Sequence, residues 1–168
     1  MFKYPAPDLV IDSIYELDAR LLTKLGVRLL LLDLDNTLAP YGGSRADETL
    51  RVWMQQLSEA GIEPFIFSNN RGKRPKSFAE FLGVGWIGNA KKPLTGAVEQ
   101  LLEDKALSAA QVAIAGDQIF TDVLCGNRSG LFSILVRPLS LKNPFIRLRY
   151  RVERPFRKRA KTLKDFEE

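Results

Sequence analysis

The chain is predicted to fold as an α/β domain on a parallel sheet, and three observations carry that expectation. Short, nearly pure apolar runs alternate with stretches whose apolar residues recur at helical spacing. Several of those runs stop abruptly at polar or charged residues, as strands do when they are buried on both faces and end at a ligand-binding edge. The spacing of the alternation leaves room for a helix between successive strands, the crossover that parallel neighbours require.

Taken in order, Val27–Leu34 is the first apolar run, and it ends at carboxylates. Residues 46–60 have helical spacing, with Leu50, Trp53, Met54 and Leu57 on one face, Ser44 and Asp47 as capping residues and Gly61 as terminator. Ile62–Phe67 is the second strand and stops at Ser68-Asn69-Asn70. Lys76–Leu82 is a short helix closed by Gly83, and Val84–Ile87 a short third strand. Pro93 opens a helix to about Lys105 that turns Val98, Leu101 and Leu102 inward. Gln111–Ala115, a short helix near 120–129 and Leu131–Val136 complete a five-strand pattern. There is no internal repeat and no low-complexity stretch.

The 168 residues suffice for one domain with a sizeable core, and 45% hydrophobic with 27% charged residues is ordinary for a soluble protein. The chain has no histidine, which excludes Ser-His-Asp and Cys-His catalysis and leaves acid–base work to carboxylates, Lys or Tyr. One cysteine, Cys125, excludes an internal disulfide, argues against zinc and reads as a packing residue. No secretory signal is visible at the N-terminus, and no apolar run is long enough to span a bilayer, so the expected location is cytoplasmic. Charge is uneven: from Arg137 onward there are 11 basic and 4 acidic residues, net +7, against 14 basic and 16 acidic before it, net −2. Such a segment is either a solvated face or a contact for something anionic.

The strand ends carry the chemistry. Asp33, Asp35 and Thr37 follow the first strand, Ser68 and Asn69 the second, and Gly116-Asp117 the fourth, with Asp122 five residues on; Lys92 precedes Pro93. Folding would gather four carboxylates, a lysine and small hydrogen-bonding groups at one sheet edge. Carboxylates so close repel one another unless a cation is present, and hard oxygen ligands with room for a phosphate suit Mg²⁺. A lysine adds positive charge for phosphate. The residues taken singly have plainer readings: Asn36 and Thr37 as turn or cap residues, Ser68 as a strand-end turn, Asp122 as a surface acid and Lys91 in place of Lys92; Arg71, Lys73 and Arg74, just after the Ser68 loop, are either substrate contacts or a solvated loop.

The ordered set Asp33-x-Asp35-x-Thr37, Ser68, Lys92 and Gly116-Asp117-x4-Asp122, covering roughly residues 27–136, resembles the four motifs of the haloacid dehalogenase (HAD) superfamily. Its wording, with Asp-Leu-Asp-Asn-Thr-Leu, Ser-Asn-Asn, Lys-Lys-Pro and Gly-Asp-Gln-Ile-Phe-Thr-Asp, resembles the YqeG-like branch of subclass IIIA, itself similar to HAD-type phosphatidylglycerophosphate phosphatases. The resemblance implies a HAD-like Rossmannoid three-layer sandwich and a Mg²⁺-dependent phosphomonoesterase working through an aspartyl-phosphate. It implies Asp33 as nucleophile and Asp35 as acid–base. Mg²⁺ would be held by Asp33, the Asp35 carbonyl and Asp117. Ser68, Asn69 and Lys92 would bind phosphate, with Thr37 and Asp122 in support. It also selects Lys92, directly before proline, over Lys91.

Neither Leu38–Asp47 nor Ser68–Lys92 leaves room for an inserted cap domain, so an open site is expected, suited to a phosphate on a lipid headgroup, protein or nucleic acid. Residues 1–142 are assigned to the capless domain and 143–168 to a basic C-terminal tail. In the tail, Phe145–Val152 alternates apolar and basic residues like a strand, with a helix to follow beyond Glu153. Those residues either seat the tail on its own domain or rest on an anionic membrane, which would put the protein at the membrane's inner face. The expected substrate is phosphatidylglycerophosphate or a related anionic phospholipid. The alternatives are a soluble nucleotide, sugar or phosphoprotein, and an RNA- or ribosome-associated binding protein on a HAD scaffold.

Overall fold

The structure, a computed structural model, describes residues 5–43 and 47–166, so Ser44 of the expected capping pair lies outside the described residues. The strands are β1 (Leu9–Ile11), β2 (Leu29–Leu32), β3 (Glu63–Phe67), β4 (Gly85–Ile87), β5 (Val112–Gly116) and β6 (Phe132–Val136). They form one parallel sheet in the order β1-β6-β5-β2-β3-β4. The central strand β2 sits between β3 and β5, with Leu32 opposite both Ile66 and Ala115. The chain leaves β2 toward β3 and later returns to its other side at β5, so the carboxyl end of β2 is the topological switch point of the sheet.

Successive strand residues point to opposite faces. Leu30, Leu32 and Ile66 pack on one side with Leu22, Leu50, Trp53, Met54, Leu57, Phe78 and Leu82. These last come from α1 (Ala19–Lys24), α2 (Glu48–Glu59) and α3 (Arg74–Leu82). Leu29, Leu31, Phe65, Phe67 and Ile114 pack on the other side with Val98, Leu101 and Cys125, from α4 (Gly96–Lys105) and α5 (Leu124–Ser129). Two helical layers enclosing a parallel sheet give the expected three-layer sandwich. Asp47 caps α2 by accepting from Leu50 N at 2.8 Å, and Gly83 closes α3 in the left-handed region at φ 70°.

Besides α1, which the sequence reading did not include, four elements depart from it. An extra edge strand, β1, pairs with β6; three apolar residues between prolines and polar residues are too few to show a period. The helix expected at Pro93 begins instead at Gly96, because residues 91–94 form a turn closed by Leu94 N to Lys91 O at 2.9 Å. The helix near 120–129 begins as a π turn, Ile119–Val123, before continuing as α5. Finally, Phe145–Val152 is not extended: Pro144–Val152 is a helix, α6, capped by Asn143 Oδ1 accepting from Phe145 N at 2.8 Å. A polar cap followed by proline at the first helical position outweighs a short alternation. A brief helix, α7 (Arg154–Arg157), follows.

The C-terminal segment lies against the sheet. Ile146 and Glu153 are buried, and Glu153 Oε1 accepts from Ile119 N at 2.9 Å, capping the turn that carries Asp122. Farther on, Val10 N donates to Lys161 O at 2.9 Å, so this segment covers the open edge of β1. No helix among the described residues is long and apolar enough to cross a membrane.

Candidate active site

Asp33 is the first residue past β2, and its backbone N still bonds Ala115 O at 2.9 Å, so its carboxylate is fixed by the centre of the sheet. The chain then turns sharply. Asn36, at φ 65°, adopts the left-handed region that Asn tolerates, and its N donates to Ala39 O at 2.7 Å. The Asn36 side chain exchanges bonds with Ser140, donating to its O at 3.0 Å and accepting from its N at 2.9 Å. Asn36 is thus both a turn residue and a tie to the segment after β6.

The buried Lys92 ammonium organises the centre. It donates to Asp33 Oδ1 at 2.8 Å, Asp122 Oδ1 at 2.6 Å and Phe67 O at 2.7 Å, so all three of its protons are committed. Burial disfavours the charge, but Asp122 and Asp33 outweigh that and hold the lysine above its ordinary range. Lys91 is exposed, which makes Lys92 the lysine of the site. A cis Lys92-Pro93 bond follows. Asn69, expected among the phosphate ligands, spends its amide on the Lys92 backbone, accepting from its N at 2.7 Å and donating to its O at 2.9 Å. Its place in this geometry is to position Lys92. The buried Ser68 hydroxyl accepts from Asn70 N at 3.1 Å beside it.

Asp33, Asp117 and Asp122 each offer a carboxylate oxygen within 4.8 Å of the others, and all three are buried. Thr37 Oγ1 donates to Asp33 Oδ2 at 3.1 Å and lies 3.4 Å from Asp117 Oδ1. Burial first, then Asp122, pushes Asp33 up to about 6 against the opposing pull of Lys92 and Thr37. Asp117 is pushed up to about 8 by burial and by Asp33 and Asp122, with Arg149 opposing. Asp122 is held from both ends, by Lys92 on Oδ1 and by Gln118 N on Oδ2 at 3.1 Å. Gly116 makes room for it: a Cβ there would stand 2.2 Å from Asp122 Cγ and Oδ2.

Asp35, two residues past Asp33, points elsewhere. Asn70 Nδ2 donates to its Oδ2 at 3.0 Å, and Arg74 Nε pairs with its Oδ1 at 2.7 Å. Arg74 also binds the carbonyls of Pro40 and Gly43, which ties the loop after β2 to the start of α3. One acid therefore sits in a metal-like cluster while its neighbour is held apart from it.

A family model described as "Mitochondrial PGP phosphatase" matches residues 3–139. The chain belongs to that family. A Bacillus subtilis protein named "Probable phosphatase YqeG" is 36% identical over 153 residues, covering 90% of this chain and 89% of that one. Phosphatidylglycerophosphate phosphatase 1, chloroplastic/mitochondrial, of Arabidopsis thaliana is 26% identical over 161 residues; these are 86% of this chain but 44% of the plant protein, so the chain spans under half of it. In fold, the chain resembles the 3-deoxy-D-manno-octulosonate 8-phosphate phosphatase of Moraxella catarrhalis, with TM-score 0.50 and 20% identity over 60% of this chain and 63% of that one. The protein is a phosphatase, a phosphoric monoester hydrolase.

In this phosphatase family member the site includes residues that sequence reading did not assign to it. Arg149, from α6, pairs with Asp117 Oδ2 at 2.8 Å across 32 residues of chain. Its signal was hidden inside a run of basic residues. Arg74 and Asn70 had a weak signal in their position just after the Ser68 loop. Counting Asp33, Asp117 and Asp122 against Lys92 and Arg149 leaves one formal negative charge in a buried space. A small dication meets that need, and the donor set is made of hard oxygens, so the residues fit Mg²⁺.

Proposed function

We propose that this chain hydrolyses the phosphomonoester of an anionic phospholipid, phosphatidylglycerophosphate or a close relative, through an aspartyl-phosphate on Asp33. The observation that carries the mechanism is the split of the two acids after β2. Asp33 lies in the buried cluster against Lys92, and Asp35 is held apart by Asn70 and Arg74. A nucleophile and a proton donor are needed at one phosphorus, and this arrangement keeps their environments distinct.

An Asp33 carboxylate oxygen attacks phosphorus while the ester oxygen leaves with a proton from Asp35. The departing alcohol is the dephosphorylated lipid. Asp35, now a carboxylate, takes a proton from water as that water attacks the phosphorus of the aspartyl-phosphate. Inorganic phosphate leaves and Asp33 is regenerated. Lys92 and Ser68 stabilise charge on the phosphoryl oxygens, and Asp122 and Asn69 keep Lys92 in place. A phosphoryl oxygen reaches Lys92 by sharing or replacing one of its three present bonds. Mg²⁺, held by the Asp33 and Asp117 carboxylates and the Asp35 carbonyl, would supply charge neutralisation at the phosphoryl group. The Moraxella phosphatase of similar fold was solved with magnesium and phosphate ions, which supports that choice of cofactor.

The lipid assignment is supported by the family description, by the plant relative's name and by the short connection between β3 and β5, which holds α3, β4 and α4 with no inserted domain among the described residues. The test has two arms. Purified protein with Mg²⁺ is assayed on phosphatidylglycerophosphate in detergent micelles and on phosphorylated sugars, nucleotides and peptides. The expected result is preference for the lipid, complete loss of turnover in Asp33→Asn and retained folding by circular dichroism. Turnover by a folded Asp33→Asn protein would refute the covalent mechanism, and preference for a soluble phosphate would refute the lipid assignment.

A further inference from the structure

The helix that delivers Arg149 to the site has a second face that none of the described residues covers. Along α6 and its C-cap residue, Ile146, Arg149 and Glu153 recur at i, i+3 and i+7 and turn inward; Ile146 and Glu153 are buried, and Arg149 reaches Asp117. Phe145, Leu148 and Val152 recur at the same interval on another face, where they are 82%, 61% and 55% exposed. At 100° per residue the three fall within an arc of about 60°. A protein surface seldom shows three large apolar side chains in a row on one helix without a partner.

The charges around this stripe have one sign. Residues 142–161 contain nine basic residues and one acid, Glu153. That acid is buried beneath the helix, so it does not offset the outward charge. Arg147, Arg151, Arg154 and Lys158 are exposed on the same segment. The apolar surface also approaches the site. Tyr41 and Leu139, each 53% exposed, stand on the two loops that border it, and Tyr41 and Ile146 share the wall of a cavity of about 330 Å³.

We infer that the outer face of α6 is an interfacial docking surface for an anionic lipid bilayer, with Phe145, Leu148 and Val152 entering the headgroup–acyl boundary and the flanking arginines meeting lipid phosphates. An amphipathic helix with large apolar residues on one side and a basic flank is the arrangement that lies in such an interface. A soluble acidic protein would satisfy the arginines but not the apolar stripe. A second copy of the chain would cover the stripe but set basic helix against basic helix. The inference rests on the lipid reading of the site and adds where the bilayer lies: against the helix whose inner face ends at Asp117.

The test uses the full chain, because the segment also covers β1 and caps the Asp122 turn. Co-sedimentation is measured with vesicles of phosphatidylglycerol and phosphatidylcholine and with vesicles of phosphatidylcholine alone, in the absence of substrate. The protein is expected to bind the anionic vesicles, with affinity falling as salt rises. Phe145→Gln/Leu148→Gln should weaken that binding about tenfold or more while leaving hydrolysis of p-nitrophenyl phosphate unchanged. If that variant does not fold, Arg147→Gln/Arg151→Gln supplies the decision, with an expected loss of similar size. Equal binding to both vesicle types, binding indifferent to both variants, or a dimer that Phe145→Gln/Leu148→Gln converts to monomer without any vesicle binding would each overturn the inference. Failure to hydrolyse phosphatidylglycerophosphate in micelles, with vesicle binding intact, would count against the substrate and not against the surface.

Discussion

Replacing Lys92 with methionine removes the cation that, among the described residues, touches both Asp33 and Asp122, while roughly keeping the side chain's length. Three charge-assisted or buried bonds vanish, and the carbonyl of Phe67 loses this donor. The two carboxylates, with oxygens within 4.8 Å, then repel by about 3–4 kcal/mol at an effective dielectric near 20. Breaking a buried pair by removing one partner costs about 3–5 kcal/mol in measured cases, which agrees. For a chain of this size that is a fall in Tm on the order of 10 °C. Loss of the lysine at the phosphoryl group should lower kcat about 10²–10³-fold. Thermal melts with and without Mg²⁺, and hydrolysis of p-nitrophenyl phosphate, measure both effects. Part of the stability should return on adding Mg²⁺ or lowering the pH, since either relieves the repulsion. Lys91→Met is the control: its side chain is exposed and should change stability by less than about 0.5 kcal/mol. A Lys92→Met protein with near-native Tm and kcat, or a Lys91→Met protein with the larger loss, would refute the reasoning.

Gly116→Ala should push Asp122 about 1 Å off its present position, because the new Cβ would meet it at 2.2 Å, so kcat should drop at least about tenfold with a lower Tm; kinetics and melts like those of the parent protein would show that the contact relaxes freely. Chelation should abolish turnover, and Ca²⁺ in place of Mg²⁺ should inhibit because its larger, looser shell disturbs in-line attack; equal rates with both ions would count against the site. In the metal-free protein burial, and then the neighbouring acids, push Asp33 up to about 6 and Asp117 up to about 8, above their ordinary unfolded values. The folded state then holds more protons than the unfolded state, so their contribution to stability is present at low pH and is lost as pH rises toward about 8. Mg²⁺ needs the deprotonated acids, so the Tm gain on adding it should grow between about pH 5 and 9; a gain independent of pH would sink this linkage.

Periodicity and punctuation made much of the fold legible in advance. Leu29–Leu32 carries enough apolar residues to require burial on both faces, and Leu50, Trp53, Met54 and Leu57 share one helical face whatever surrounds them. The acids after β2 and β5 were equally visible, because parallel topology brings the carboxyl ends of neighbouring strands together. Segments whose state depends on distant partners were not legible. Leu9–Ile11 becomes a strand only because β6 and the Lys161 carbonyl receive it. Phe145–Val152 alternates like a strand, yet a cap at Asn143 and burial of Ile146 and Glu153 make it a helix.

Composition and local pattern therefore determined the fold class, the strand ends at which chemistry gathers and the exclusion of histidine-based mechanisms, because those follow from residue type and near-neighbour spacing alone. Tertiary structure turned Asn69 onto the Lys92 backbone, separated Asp35 from Asp33 and brought Arg149 to Asp117. Each of these depends on a contact between residues far apart in sequence, Asn69 with the Lys92 backbone, Asp35 with Arg74 and Arg149 with Asp117. Sequence spacing carries no record of such pairings, since the energy that selects them exists only once the chain has excluded water around them.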